Sequence, residues 1–513
     1  MQKEDAMTAI SMNRRNFLGC AGALGLTLGA GPAFAARNDP LPKSWDETAD
    51  VVVVGSGFAG LCAAYEAHKA GASVVILEKM ATPGGNSIIN GGIMGVPGTE
   101  IQKRKGIKDS PEQMFNDMMK AGLYLNHADK VRTLCNEAYG AYRMLVDEIG
   151  VKFSDTILKH EGGHSVPRSL YTVTGSGSEI VSKLLAKLSG LGVKPRTRTF
   201  MEHIWLDESG RAVGVTVREN YRFGKDASAL KAKTIRAKKG IVLAYGGFGS
   251  DVAYRSMFDP RLGSSIQSTN QPGATSEAWR EAAMAGAQMI QEDWIQCLPY
   301  TSPDEKGFGI GWAWAGHTQA YGFWIDGSTG ERFVNELADR KIRCDAIFAH
   351  LGMGHDCLSV GDAKAAELFR KIRPGFLERE KAAGVLKEYA TTADLCRERH
   401  IPEDAFRRTV AAVNESVKTK KDPMGRRVNE DLKPCGDGPW FVTRLSPKVH
   451  HCMGGILTTA KAEVLDCRGR VIPGLYAAGE ATGGVHGAVR LGSCATTDCV
   501  VNGRIAGREA ARG

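Results

Sequence analysis

The chain has 513 residues, 43% hydrophobic and 24% charged, and 66 Lys and Arg against 57 Asp and Glu leave a net charge of +9. At roughly 100–200 residues per domain this allows about three domains, or two with one of them large. An ordinary apolar fraction with only 19 Pro and no Gly-x-y period excludes a disordered or collagen-like chain. The basic residues are scattered, which argues against a nucleic-acid partner, and 12 Cys are too sparse for a disulfide scaffold.

At the N-terminus, Arg14-Arg15 precede Asn16-Phe17-Leu18, and an uncharged Gly/Ala-rich stretch runs from Gly19 to Ala36 through Ala33-Phe34-Ala35. Residues 1–35 therefore read as a signal peptide that resembles the twin-arginine export type, cleaved after Ala35. The apolar run is too weak for a membrane-spanning helix, so no transmembrane span is expected in the mature chain. This predicts a periplasmic or other extracytoplasmic protein.

The next element is an apolar, β-branched strand at Asp50–Val54, followed at once by Gly55-Ser56-Gly57-Phe58-Ala59-Gly60. A helix over Leu61–Ala70, a stop at Gly71 and a second strand over Ser73–Leu77 ending in Glu78 complete a dinucleotide-binding βαβ pattern. Gly55 permits the tight turn, Gly57 lets a pyrophosphate approach the helix N-terminus, and Gly60 lets the helix pack on the strand. Glu78 can accept the ribose hydroxyls and would repel a 2′-phosphate, which disfavours NADP. A further glycine turn at Gly84-Gly85-Asn86-Ser87 and Gly91-Gly92 follows, and Ile241–Ala244 runs into Gly246-Gly247. Near the C-terminus the strand-like Val471–Ala478 ends in Gly479-Glu480. Glycine clusters at both ends of one chain select FAD over NAD. The expected cofactor-binding residues are Gly55, Gly57, Phe58, Ala59, Gly60, Glu78, Lys79, Gly85, Asn86, Gly91, Gly92, Gly247, Gly479, Glu480 and Leu491.

Several segments carry a resemblance: Gly84–Ser87, Asp109–Glu112, Ser268–Ala274, Gly330–Glu336, Val449–Gly455, and Pro473–Ala510 with Gly483–Gly492 inside it. With them the sequence resembles the soluble, flavocytochrome c-type fumarate reductase flavoproteins, a branch that includes urocanate reductase-like enzymes, from about residue 48 to the end. The resemblance implies an α/β fold in which a Rossmann-like FAD-binding domain of the glutathione reductase type is interrupted by an α+β capping domain. The FAD domain is expected at 48–296 and 449–513 and the cap at 297–448. The implied reaction is hydride transfer from flavin N5 to the β-carbon of an α,β-unsaturated carboxylate, with proton delivery to the α-carbon. His450 and Arg490 match the pair that grips the carboxylate, His451 is placed to contact flavin or substrate, and Arg340 matches the family's proton donor. His486 reads as structural.

The sequence also departs from that pattern. Where fumarate-specific members have a histidine for the far carboxylate, Ile295-Gln296-Cys297-Leu298-Pro299 carries Leu298. An apolar side chain cannot pair a buried carboxylate. The family's acidic proton relay is missing from Gly311–Gln319, leaving His317 as the substitute proton carrier. Tyr300, Phe308, Trp312 and Trp314 concentrate aromatic rings in this stretch. Together with Leu298 and His317 they predict a monocarboxylate with a bulky, urocanate- or cinnamate-like tail rather than fumarate. No Cys-x-x-Cys-His haem motif is present, so electrons are expected from a separate cytochrome or quinol-linked redox protein. No histidine follows Gly84-Gly85-Asn86, so FAD is expected to be non-covalent, and no metal site is expected. A 3-ketosteroid dehydrogenase-like enzyme and a non-catalytic flavin electron shuttle are the alternatives, the first disfavoured because a ketone needs no carboxylate clamp.

Overall fold

The computed structural model describes residues 39–513, and the expected signal peptide at 1–35 lies outside the described residues. Strand β1 (Glu47–Val54) starts three residues before the apolar run, and Val51, Val52 and Val53 are fully buried. A β-branched run with no polar interruption suits a strand covered on both faces. Helix α1 (Phe58–Lys69) follows the glycine turn, and its first ten residues are all buried. β2 (Val74–Leu77) pairs parallel to β1, with Val51 opposite Val74 and Val54 opposite Leu77. β3 (Ala232–Leu243) lies parallel on the other flank of β1, with Val52 opposite Ile241.

The chain then leaves this sheet through β4 (Ile295–Leu298) and builds a second, antiparallel sheet. Its members are β5 (Phe323–Asp326), β6 (Cys357–Asp362), β7 (Lys387–Tyr389) and β8 (Trp440–Leu445), in the order β5-β6-β8-β7. Between β5 and β6 runs helix α2 (Arg340–Gly352). Phe323, Ile325, Leu358, Val360, Phe406 and Trp440 form this sheet's own core, which makes the inserted region an α+β layer with its own hydrophobic support.

The return passes through β9 (Lys448–Cys452), then β10 (Glu463–Leu465) and β11 (Val471–Ala477). β11 adds parallel to β3, so the eight-stranded large sheet runs β10-β11-β3-β1-β2 and on to a short strand at Pro195–Arg196, with a hairpin (Thr199–Leu206 and Ala212–Glu219) pairing antiparallel on β3, and is mixed, mainly parallel. The C-terminal helix α3 (Cys494–Arg512) packs on α1 at very short range. A Cβ on Gly503 or Gly507 would come within 2.8 and 2.7 Å of the Cα atoms of Ala59 and Ala63. The last helix thereby locks the first βαβ unit.

β4 and β9 pair antiparallel as a two-stranded ribbon joining the two regions, and the expected boundaries at 296/297 and 448/449 fall inside these two strands. Among the described residues no helix is long and apolar enough to cross a membrane.

Candidate active site

The ribbon sets the site. Gln296 pairs with His451 and Cys297 with Val449, so His450 is an extra residue bulged out of the register. A regular strand sends successive side chains to opposite faces, and a bulge re-aims them. Here His450 and His451, adjacent in sequence, both line one cavity of about 1690 Å³ between the glycine turns and the inserted sheet. Arg340, at the start of α2, and Arg490, in the loop before α3, line the same cavity. All four residues expected to be catalytic are therefore brought together.

Gln296, which sequence reasoning passed over, organises them. Arg340 Nη1 and Arg490 Nη2 each donate to Gln296 Oε1 at 3.0 Å, and Gln296 Nε2 donates back to the Arg490 carbonyl at 3.2 Å. Arg340 Nη2 also donates to the Tyr300 hydroxyl at 3.3 Å. The His450 Nδ1 lies 2.8 Å from Thr269 Oγ1. Burial, reinforced by the charges of Arg340 and Arg490, holds His450 well below the usual imidazole range, and burial does the same for His451. Burial pushes Arg490 down to about 10, with Arg340 the next contributor. His451 Nε2 and Arg490 Nε are buried without a hydrogen-bond partner among the described residues. Unpartnered donors beside two guanidinium groups are costly unless an acceptor arrives, and an anionic ligand is such an acceptor.

On the other side of the cavity lie Phe58, Asn86, Gly91, Glu480 and Leu491. Glu480 accepts the Cys452 N–H at 3.0 Å, and burial pushes its carboxyl up to about 7. Gly247 lies directly against Glu480, and Gly479 against Ala59 and Cys499. Asn86 Oδ1 accepts the Gln271 N–H at 2.7 Å, and Asn86 Nδ2 donates to Asn270 at 2.6 Å. This ties the second glycine turn to the Ser268–Ala274 segment.

The βαβ turn fits a dinucleotide. Gly55 has φ +104, and a Cβ there would come 2.7 Å from the Ala244 carbonyl carbon, so only glycine serves. α1 follows Gly57, which supplies no side-chain cap; the Phe58 N–H donates to Ser87 Oγ at 3.0 Å, and the positive end of the helix still faces the turn where phosphate oxygens would lie. Gly60 packs on Gly55, Gly57 faces Ser87, and Gly85 meets nothing, so the backbone stays open there. Glu78, nearly buried, accepts from Ser56 Oγ at 2.5 Å and from the Met80 N–H at 2.8 Å. Its carboxylate is thus oriented before any ribose arrives.

Four of the expected residues are held by other parts of the fold. Trp314 does not line the cavity. It is fully buried against Phe369 and Phe441 at ring distances of 5.5 and 5.8 Å, in the core of the inserted region. His317 reaches the cavity edge, but its Nε2 is 2.9 Å from the Ala365 carbonyl and its ring stacks on Tyr321. Burial holds it down to about 4, so it is neutral where a proton carrier must titrate. Lys79 is occupied by Thr275 at 2.5 Å and Glu277 at 3.2 Å. Gly92 is required by the backbone of Ser176 and the Thr172 hydroxyl, which leave no room for a Cβ. Leu298, Tyr300 and Trp312 do line the cavity, with Phe308 beside Trp312 and His450. His486, 3.1 Å from Asp498, lies behind His451.

The motif at Asp109 also gains a reason. Asp109 holds Arg168 through two hydrogen bonds at 2.9 and 3.0 Å with both side chains fully buried. His164, in contact with Arg168, bonds the Gly492 carbonyl at 2.8 Å. The pair thus braces the loop that carries Arg490.

A family profile described as FAD binding domain matches residues 50–496. An acrylate reductase flavoprotein subunit of Shewanella woodyi is 37% identical over 508 residues, covering 97% of this chain and 98% of that one. The chain belongs to the FAD-binding fumarate reductase flavoprotein family. A urocanate reductase of Eggerthella lenta is 35% identical, covering 92% and 76% of the two chains. Among solved structures, the open conformation of a flavocytochrome c3 fumarate reductase matches with a TM-score of 0.76 at 30% identity, over 91% of this chain and 79% of that one. Membership in this flavoprotein family makes FAD the cofactor that the glycine turns serve, and the chain an FAD-dependent oxidoreductase.

Proposed function

We propose that this flavoenzyme reduces the C=C bond of an α,β-unsaturated monocarboxylate with a bulky apolar or aromatic tail. The observation that carries the reading is the convergence of Arg340 and Arg490 on Gln296 beside His450 and His451, with Arg490 Nε and His451 Nε2 left unpartnered. That is a carboxylate clamp built around one neutral amide. A carbonyl substrate without a carboxylate would leave those donors unmet, which disfavours a ketosteroid.

The turns at Gly55–Gly60, Gly84–Asn86 and Gly479-Glu480 would hold FAD non-covalently, and the flavin, once reduced by the separate electron donor, would supply a hydride for the substrate β-carbon. Charge then accumulates on the substrate carboxylate, where Arg490 and the two histidines stabilise it. The hydrogen bond between His450 Nδ1 and Thr269 Oγ1 fixes the orientation of the imidazole in the cavity. An arriving anion raises both histidines from their depressed state, because it adds the opposite charge they lack. Arg340 gives a proton from Nη to the α-carbon, and the Tyr300 hydroxyl, 3.3 Å away, returns one to the guanidine and is itself reprotonated from water. Tyr300 takes the relay role for which the sequence offered His317. Two electrons and two protons thus saturate the bond.

The apolar wall of Leu298, Phe308 and Trp312 supports a monocarboxylate. The Arg14-Arg15 segment supports export by the twin-arginine route, and the missing haem motif supports a separate electron donor. The test is an anaerobic assay of the purified chain with reduced viologen and a panel of fumarate, acrylate, cinnamate and urocanate. Turnover of an aryl enoate above that of fumarate is expected. Faster reduction of fumarate than of every monocarboxylate would overturn the substrate reading.

A further inference from the structure

Outside the cavity, three ligand-type side chains meet at the far end of α2 from Arg340. Asp326 closes β5 with its side chain only 2% exposed, His350 lies in the last turn of α2, and His355 sits in the loop before β6. Asp326 Oδ2 accepts from Nδ1 of His350 at 2.6 Å and from Nδ1 of His355 at 2.7 Å. Its other oxygen accepts the N–H groups of Ser328 at 2.6 Å and Thr329 at 3.1 Å. The meeting follows from the register. Asp326 pairs with Cys357, two residues beyond His355, so the turn out of α2 carries both imidazoles over the end of β5. The donor atoms lie within 4.8 Å of one another.

We propose that Asp326, His350 and His355 bind one divalent transition-metal ion, with zinc the best match, as a structural clip between β5 and α2. Two imidazole nitrogens and one carboxylate oxygen form a borderline donor set that suits zinc, whereas magnesium and calcium take oxygen ligands. Zinc at about 2.0–2.1 Å from each nitrogen spreads the ligand atoms to roughly 3.3 Å apart, so each imidazole moves outward by about 0.6 Å. The rings are free to do so, being 22% and 30% exposed on a helix end and a loop. As a ligand, each imidazole presents its Nδ1 lone pair to the ion, with the ring proton on Nε2. Asp326 stays in place, because the Ser328 and Thr329 N–H groups fix its carboxylate, the outer support that bound carboxylates generally have. The solvent side leaves the fourth position to water. His350 lies about 15 Å along α2 from Arg340, so the ion is remote from the chemistry and anchors the helix that carries Arg340 and Arg343.

The test uses untagged, FAD-loaded full chain stripped by chelator, titrated with zinc sulfate by calorimetry and checked by elemental analysis. One zinc per chain and a raised thermal midpoint are expected. Both are lost in His350→Gln/His355→Gln, whose flavin absorbance stays unchanged. Cobalt(II) added to the unmutated protein gives the visible bands of a four-coordinate site, a readout independent of whether the variant folds. Absence of a stoichiometric ion in the unmutated protein, or the same stoichiometry in the double variant, would overturn the assignment.

Discussion

Arg340 and Arg490 donate to the same atom, Gln296 Oε1, each at 3.0 Å. Two like charges that meet on one neutral acceptor repel each other, and burial adds to the strain on Arg490. The arrangement favours an anion that arrives between them. Gln296 holds both guanidinium groups without neutralising either, which a carboxylate in its place could not do.

Replacing Gln296 therefore separates positioning from charge. Gln296→Leu leaves both guanidinium groups without their shared acceptor and lowers kcat by about tenfold or more, while flavin content is retained. Gln296→Glu keeps an acceptor but pairs the clamp, so it raises KM for the enoate more than it lowers kcat. Steady-state kinetics with each variant reads the split. Equal losses in kcat for both variants, with KM unmoved, would contradict the positioning role.

Leu298 lines the cavity at the position where the sequence resemblance implies a histidine for a second carboxylate, and it is almost fully buried. Leu298→His restores a donor for a second carboxylate. The ratio of kcat/KM for fumarate to that for an aryl enoate is expected to rise at least tenfold, or about 1.4 kcal/mol. An unchanged ratio would mean that another part of the cavity sets the substrate.

His317 links stability to pH in a definite direction. Its folded value is held down to about 4 by burial, against an ordinary 6.5. A depressed imidazole contributes stability that is fully present above pH 6.5 and is lost as pH falls through about 4. The full shift corresponds to on the order of 3 kcal/mol. Denaturant unfolding between pH 7 and 4 is expected to show a steeper acid loss for the unmutated chain than for His317→Gln. The pH–rate profile keeps its shape in the variant, since Tyr300 rather than His317 adjoins Arg340. Loss of an acid limb in that profile would return His317 to the proton path.

What the sequence made legible was local. The run Val51–Val54, the glycines at 55, 57 and 60, and Glu78 lie within one βαβ unit, where chain neighbours are also spatial neighbours. The clamp residues were legible through their motifs, but not the way they meet. Adjacent His450 and His451 should face opposite sides of a strand, and only the bulge against Gln296 and Cys297 brings both to the cavity. Gln296 carries no signal, because a neutral amide becomes a shared acceptor only through long-range pairing. Trp312 and Trp314 read as one aromatic patch, yet residues two apart on a helix point away from each other. Trp314 accordingly turned into the core of the inserted region. The Asp326, His350 and His355 cluster escaped for the same reason as Gln296: β5 and β6 must pair before its members meet.

The contact between α1 and α3 is expected to govern cofactor retention. Gly503→Val forces a side chain against the Ala59 backbone, and overpacking of this kind costs about 1–3 kcal/mol. Since α1 begins at the dinucleotide turn, flavin absorbance per chain should fall along with the thermal midpoint. A variant of unchanged stability and full flavin content would show that α3 does not brace that turn.

The central claim is that Arg340 delivers the proton during reduction of an enoate. The most direct measurement reduces the bound flavin anaerobically, mixes it with an aryl enoate, and follows flavin reoxidation in Arg340→Ala beside the unmutated chain. The expected result is normal flavin content with reoxidation slowed by about 10²–10⁴-fold, the usual contribution of a positioned acid. Reoxidation of Arg340→Ala at the unmutated rate would contradict the account.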